Sequence, residues 1–181
     1  MPIVISEPEL QKILGNLESG LDVMLAGFSV DTRRVSDMAE FYCESADPLS
    51  DPVVYEVFSW PDDGGVADLL VTITVLHAGR VGNEPFHTKG HFHKDPDGPE
   101  FVLGYQGTGA LQTGDRHGAV HEVELARGTH VWVPSGMAHR VVNRTSESIV
   151  YLSISSSAVG HDYDSVAQLH WKQDIVKEVR T

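Results

Sequence analysis

Short apolar segments separated by turns recur along most of the chain after residue 52. Two of them, at 53–60 and 68–76, are rich in β-branched and aromatic residues and flank a turn-forming Pro-Asp-Asp-Gly-Gly cluster, so they predict a hairpin. Six more follow with Gly or Pro between most of them, at 100–105, 109–113, 119–125, 129–133, 139–143 and 148–154. Evenly spaced short strands of this kind predict a closed or sandwiched antiparallel β fold.

The region before residue 52 follows a different pattern. Ser6 and Glu9 have the spacing of a capping box, and apolar residues at helical intervals follow them, so a helix is predicted over 6–18. A second, short helix is expected near residue 36, because Asp37 and Glu40 also have capping spacing.

The length of 181 residues fits one domain with a substantial core. We expect an N-terminal helical extension over 1–34 and the β domain over 35–169. The remaining segment, 170–181, is expected to pack on that domain, and its pattern fits a strand and a short helix equally well.

Composition and charge limit the classes of protein to which this chain can belong. Apolar residues make up 41% and charged residues 22%, as in ordinary globular proteins, and no apolar run approaches the roughly 20 residues of a membrane span. The formal net charge of -13 opposes binding to nucleic acid or anionic lipid, because both need a basic surface. Cys43 is the only cysteine, and the first residues lack the basic region of a secretory signal. We therefore expect a cytoplasmic protein that binds neither nucleic acid nor membrane.

Two histidine-bearing segments carry the candidate chemistry. In the Gly-His-Phe-His sequence at 90–93 the two imidazoles would lie on one face of a strand, and Glu100 begins the next predicted strand. A Pro- and Gly-containing turn then delivers His139. Imidazole and carboxylate suit a borderline divalent metal and leave coordination positions open for a substrate. An isolated His-x-His pair is more often two surface histidines, so the predicted site depends on all four residues meeting: His91, His93, Glu100 and His139.

The spacing of these residues resembles the two cupin motifs. The second motif is met without a mismatch by Gly128, Pro134, Gly136, His139 and Asn143. The first motif is met by the two histidines and by the gap from Glu100 to Gly107, but it departs in the longer gap before Glu100 and in Pro85, where the motif has Gly. The resemblance implies an all-β cupin jelly-roll β-barrel, to which the N-terminal helix is an addition.

Longer stretches resemble one cupin family, the cupin-type (archaeal-type) phosphoglucose isomerases, which are glucose-6-phosphate isomerases. The matching blocks are 33–38, 51–57, 74–76, 79–82, 88–93, 138–140, 142–143 and 160–163. The most selective are Thr-Lys-Gly-His-Phe-His at 88–93 and Gly-His-Asp-Tyr at 160–163. The resemblance implies a homodimer with one divalent metal per subunit, iron before Zn, Mn, Ni or Co. It also implies that the substrate is a sugar phosphate, with glucose 6-phosphate and fructose 6-phosphate interconverted.

The same resemblance implies roles for individual residues beyond the four metal ligands. Glu100 and His161 would be catalytic, with Glu100 as the base that moves a proton between C1 and C2 and His161 near the reacting end of the sugar. A metal-assisted hydride shift would use the same ligands. The substrate would be bound by Tyr55, Thr74, Thr88, Lys89, Gly90 and Tyr163. Without the resemblance, the threonines fit ordinary strand positions and the tyrosines fit core positions.

One departure from the family bears on the substrate. The family commonly has Tyr two residues after the ligand Glu, where this chain has Val102, and Tyr105 would lie on the opposite strand face. An isomerase of another sugar phosphate is therefore an alternative, and so are a cupin dioxygenase and a non-catalytic sugar-binding cupin. The remaining histidines lack partners at useful spacing and are expected to be non-ligands: His77, His87, His117, His121, His130 and His170.

Overall fold

The computed structural model describes residues 28–45, 47, 49–60, 69–169 and 171. The predicted helix over 6–18, the turn cluster after residue 60 and nearly all of the C-terminal segment lie outside the described residues. No helix in the described ranges is long and apolar enough to cross a membrane.

Strands make up most of the regular structure in these ranges. They are β1 (Ser29–Arg34), β2 (Val53–Trp60), β3 (Leu69–Leu76), β4 (Arg80–Val81), β5 (Glu84–Pro85), β6 (Phe92–His93), β7 (Glu100–Gln106), β8 (Thr108–Gly114), β9 (Val120–Ala126), β10 (His130–Val133), β11 (Ala138–Val142), β12 (Ile149–Ser156) and β13 (His161–Asp162). Two 3-10 helices accompany them, at Ser36–Phe41 and Ser165–Gln168.

The strands form two main antiparallel sheets. The larger has the order β1-β2-β3-β12-β7-β10, and the smaller has the order β11-β8-β9. Two short strand pairs, β13 with β6 and β4 with β5, form separate two-stranded sheets. The main core draws on both sheets: Val54, Leu76 and Val102 come from the larger, and Leu111, Leu125 and Val141 from the smaller. The prediction of an all-β cupin jelly roll is confirmed.

The predicted strands reappear with shifts of one or two residues at their ends. The hairpin pairing is confirmed, since β2 and β3 pair antiparallel from Tyr55 opposite Leu76 to Trp60 opposite Val71. The structure adds β1, which the sequence pattern did not predict and which pairs with β2. The domain boundaries at 34/35 and 169/170 stay predictions, with β1 extending the larger sheet back to residue 29.

The helix expected near residue 36 is a 3-10 helix with a different start. Its N-cap is Val35, and no side chain caps it. Asp37 instead accepts a hydrogen bond from the backbone N–H of Arg34, at 2.8 Å, so the predicted use of Asp37 and Glu40 as a capping pair is wrong.

The two faces of the larger sheet differ in chemistry. One face carries aliphatic and aromatic side chains that form a separate apolar cluster, including Phe58, Ile73 and Leu152. The other face looks into the jelly roll, and its alternate positions hold polar side chains such as Thr74 and Ser153. Because successive side chains of a strand point to opposite faces, polar side chains gather on the inward face of this sheet.

Candidate metal centre and adjoining cavity

His91 and His139 are joined through the backbone. The His91 N–H donates to the His139 carbonyl at 3.2 Å, and the His139 N–H donates to the His91 carbonyl at 3.1 Å. This isolated antiparallel bridge places the two rings with their centroids 4.5 Å apart. His93 follows two residues later in β6, and its ring centroid lies 5.4 Å from that of His91.

Glu100 completes the group from the first position of β7. Its Oε2 lies 3.2 Å from Nε2 of His93 and 3.2 Å from Nε2 of His139. The candidate ligand atoms of His91, His93, Glu100 and His139 all lie within 4.8 Å of one another. The structure therefore brings together the four side chains that were predicted to meet.

The local hydrogen bonds fit a metal at this point. His93 Nδ1 donates to the Gly98 carbonyl at 2.6 Å, which leaves Nε2 as the nitrogen that faces the group. Among the described residues, the buried Nε2 of His91 has no hydrogen-bond partner. A buried imidazole nitrogen without a partner is costly unless a ligand satisfies it. Ligand atoms about 2.0–2.2 Å from an ion are at most roughly 4.4 Å apart, so small movements would bring all four to one ion.

The electrostatics of the group favour the ligand forms of Glu100 and His91. Burial would raise the pKa of Glu100, but the adjacent imidazoles of His139 and His93 outweigh burial and hold that pKa well below its usual value. Glu100 is thus ionised. Burial also lowers the pKa of His91 well below its usual value and keeps that ring neutral, as a metal ligand must be. Burial would lower the pKa of His93 as well, but its hydrogen bond to Glu100 raises it.

A cavity of about 120 Å³, partly open to solvent, adjoins three of the four side chains, those of His91, Glu100 and His139. All of the predicted substrate-binding residues and the predicted catalytic pair line it: Tyr55, Thr74, Thr88, Lys89, Gly90, Tyr163, Glu100 and His161.

The residues after β5 line one wall of this cavity. The Thr88 hydroxyl accepts a hydrogen bond from the Val141 N–H at 3.0 Å, which anchors it against β11. The Lys89 ammonium lies 5.1 Å from the ring centroid of Phe41 and 5.8 Å from that of Tyr163. Gly90 has φ of 74°, and a Cβ there would lie 3.1 Å from the Cβ of Arg140. A side chain at position 90 would therefore be strained.

His161 and Tyr163 close the side next to His91. β13 pairs with β6 so that His161 lies opposite His93, and the His161 ring centroid is 4.0 Å from that of His91. The hydroxyl of Tyr163 lies 3.2 Å from Nδ1 of His161. Burial lowers the pKa of His161, so its ring is neutral and offers one donor and one acceptor to a ligand.

The structure also shows where Val102, Tyr105 and the histidines predicted not to bind metal lie. Val102 is 1% exposed and lines the cavity, whereas Tyr105 packs with the apolar cluster on the opposite face, as strand alternation predicts. His87 is buried, and its Nδ1 lies 2.9 Å from the Thr88 carbonyl. Neither His87 nor the other described non-ligand histidines belong to the candidate metal group, and His170 lies outside the described residues.

Sequence reasoning missed Tyr151, which lines the same cavity from β12. Burial raises the pKa of Tyr151, and the neighbouring hydroxyls of Thr74 and Thr88 offset part of that rise. The available signal was the alternation of Tyr151, Ser153 and Ser155, which puts three hydroxyls on one face of an otherwise aliphatic strand.

Comparison with known proteins gives consistent matches across the jelly roll. A family model described as glucose-6-phosphate isomerase (GPI) matches residues 30–178. Glucose-6-phosphate isomerase of Thermococcus kodakarensis is 35% identical over 167 residues, which cover 90% of this chain and 87% of that protein. The enzyme of the same name from Pyrococcus horikoshii is 33% identical over 168 residues, with the same coverage of 90% and 87%. A solved structure of a sugar phosphate isomerase of the cupin superfamily from Silicibacter pomeroyi is 23% identical, with a TM-score of 0.43 over 57% of this chain and 59% of that one.

Proposed function

Since the chain belongs to the glucose-6-phosphate isomerase family, we propose that it interconverts glucose 6-phosphate and fructose 6-phosphate. The observation that carries the proposal is the meeting of three imidazoles and Glu100 beside a cavity lined by hydroxyls, a lysine and a glycine turn. The cavity offers groups for proton transfer beside the ligand set, and its walls also offer donors for a phosphoryl group.

The reaction moves one hydrogen between neighbouring carbons. In open-chain glucose 6-phosphate, Glu100 would take the proton from C2, and the freed electron pair would form the double bond of an enediol as a proton passes from O2 to O1. Return of the proton from Glu100 to C1 gives fructose 6-phosphate with its carbonyl at C2. Glu100 suits this role because it is ionised and lines the cavity.

A divalent metal would be held by His91, His93, Glu100 and His139. When bound, it would act as a Lewis acid that stabilises negative charge on the substrate oxygens. A carboxylate has two oxygens, so Glu100 can ligate through one and reach the substrate through the other. His161, adjacent to His91, would orient a sugar hydroxyl beside the ligand set. We propose iron as the native metal on the family resemblance, since imidazole and carboxylate accept Fe(II), Zn, Mn, Ni and Co alike.

The phosphate would lie near Lys89. The chain has a formal net charge of -13, so an anionic substrate needs local donors that override the overall field. Lys89 supplies a positive charge there, and Thr74, Thr88, Tyr55 and Tyr163 supply hydroxyls. The backbone N–H of Gly90, which lines the cavity, would add a further donor.

The cellular setting is part of the proposal. We propose a cytoplasmic homodimer that acts in glycolysis and gluconeogenesis. The exposed lone Cys43 supports a reducing compartment, and the family resemblance supports the dimer. Light scattering after size-exclusion chromatography tests the dimer, since a monomeric mass at micromolar concentration would contradict it.

A coupled assay tests the reaction directly. Purified metal-loaded protein is incubated with fructose 6-phosphate and a glucose-6-phosphate dehydrogenase, and NADPH formation is followed. Steady turnover is expected, and no turnover with any of the five metals would contradict the proposal. Run in D2O, the enediol route places deuterium at C2 of the product, whereas a hydride shift places none.

Val102 keeps a second candidate open, an isomerase of another sugar phosphate. It removes a hydrogen-bonding group from the cavity wall, and a sugar with one fewer hydroxyl in reach would fit equally well. The same assay format with other ketose phosphates separates the two candidates by their kcat/KM values. Oxygen consumption with no isomerisation would instead indicate a dioxygenase.

A further inference from the structure

Tyr151 lies on β12, which runs between β3 and β7 in the larger sheet. On β12 its Cα partners are Thr74 of β3 on one side and Gly104 of β7 on the other. It packs in the main core and is 7% exposed, yet it also lines the cavity. Its ring is therefore fixed by packing while its phenol faces the space proposed for substrate.

The phenol interacts with the two threonines that the proposed function assigns to the phosphate. The Tyr151 side chain lies beside Thr74 in the paired strands, and its hydroxyl is within hydrogen-bonding reach of Thr74 and Thr88. Thr88 has a second anchor, because its oxygen accepts the Val141 N–H at 3.0 Å. Thr74 is buried at 4% exposure on the strand beside Tyr151.

Hydrogen-bond direction explains why this arrangement matters. A threonine oxygen that accepts a hydrogen bond from a fixed donor directs its own proton elsewhere. The Val141 N–H does this for Thr88, and the Tyr151 hydroxyl can do it for Thr74. Tyr151 has one hydroxyl proton, so when it donates to Thr74 its oxygen accepts the proton of Thr88, and the Thr74 hydroxyl proton is the one left for an anion in the cavity.

We propose that Tyr151 is a positioning residue for the phosphoryl group, which it serves by donating to Thr74 and so directing the Thr74 hydroxyl proton into the cavity. This inference rests on the proposed function for the identity of the ligand. It also accounts for Val102, which lies opposite Ser153, two residues along β12 from Tyr151, and offers no hydrogen bond. The phenol at this part of the wall thus comes from β12 rather than from β7.

The test compares Tyr151→Phe with Tyr105→Phe in the metal-loaded protein. Both variants lose one hydroxyl, but Tyr105 packs on the opposite face of the sheet. The ligand is glucitol 6-phosphate, which has no carbonyl and cannot isomerise, measured by calorimetry alongside inorganic phosphate. Tyr151→Phe should weaken both ligands roughly three- to tenfold, as expected for one lost hydrogen bond, and Tyr105→Phe should leave both unchanged. Unchanged binding in Tyr151→Phe would overturn the proposal.

A double-mutant cycle distinguishes positioning from direct contact. If Tyr151 acts through Thr74, Tyr151→Phe should add little to the loss already caused by Thr74→Val, whereas additive losses would overturn the indirect role. In turnover, Tyr151→Phe should raise KM for fructose 6-phosphate with kcat within about twofold of wild type. A fall in kcat at constant KM would also overturn it.

Binding and turnover are measured separately, so the role of Tyr151 and the proposed reaction can fail independently. If wild type binds glucitol 6-phosphate but does not turn over fructose 6-phosphate, the proposed reaction fails and the role of Tyr151 is still measured by binding. If Tyr151→Phe does not fold, Thr74→Val against Thr74→Ser measures the same hydroxyl: a loss in the valine variant alone supports the proposal, and no loss in either contradicts it.

Discussion

His91 and His139 exchange two backbone hydrogen bonds, at 3.2 and 3.1 Å, across a sequence separation of 48 residues. The bridge fixes the backbone positions from which both imidazoles project, and it uses no side-chain atoms. The candidate metal centre is therefore positioned by the backbone, and a single ligand can be removed without unmaking the fold around it.

His139→Ala should sharply lower metal content while far-UV circular dichroism stays unchanged. The side chain leaves, but the backbone bridge to His91 is kept. Metal per subunit, measured by inductively coupled plasma mass spectrometry after dialysis, checks this. The matched control is His121→Ala, because His121 is exposed on β9. Full metal occupancy in His139→Ala would show that the ligand set is wrong.

Glu100→Gln should reduce kcat by roughly 10²–10⁴-fold, the usual contribution of a general base. The amide keeps the shape of the side chain but cannot take the proton from the sugar. Initial rates at saturating fructose 6-phosphate, normalised to bound metal, separate loss of the base from loss of a ligand. Near wild-type turnover per bound metal would show that Glu100 is not the base.

Much of this site could be predicted from sequence, because its ligands follow short fixed spacings. His91 and His93 are one residue apart, and the turn that delivers His139 carries its own Pro and Gly signals. Alternation likewise predicted strands such as β7 and β12 to within one or two residues.

What sequence reasoning missed depends on pairing between distant segments. Tyr151 meets Thr74 only because β12 lies beside β3, 70 or more residues away in the chain. β1 is a polar edge strand whose extended form comes from pairing with β2, so its own pattern gave no strand signal. In both cases the local sequence does not contain the partner that decides the structure.

Lys89→Gln should raise KM for fructose 6-phosphate about tenfold or more with a smaller change in kcat, because the lysine charge is assigned to the phosphate. Steady-state kinetics at fixed ionic strength provide the measurement. Arg127→Gln is the control, since it removes one positive charge from an exposed turn. An equal rise in KM in both variants would mean that the overall charge of the protein, and not Lys89, sets the affinity.

Glu122→Gln should destabilise the protein at neutral pH. Burial would raise the pKa of Glu122, but hydrogen bonds from Arg144 and Gln112 outweigh it and lower that pKa. A carboxyl with a lowered folded pKa adds stability above its unfolded pKa of about 4.3, and that stability is lost as pH falls through the folded pKa. Urea midpoints should therefore differ from wild type at pH 7 and converge in acid. Glu124→Gln serves as the control, and a difference that persists or grows in acid would contradict the ion-pair account.

The four converging side chains should hold a divalent metal on which isomerisation depends. The most direct measurement is the rate of fructose 6-phosphate turnover by one protein sample as purified, after stripping with a chelator, and after reloading with Fe(II), Mn, Ni, Zn or Co. We predict that activity disappears on stripping and returns with at least one metal at about one ion per subunit. Undiminished turnover by fully metal-free protein would contradict the account.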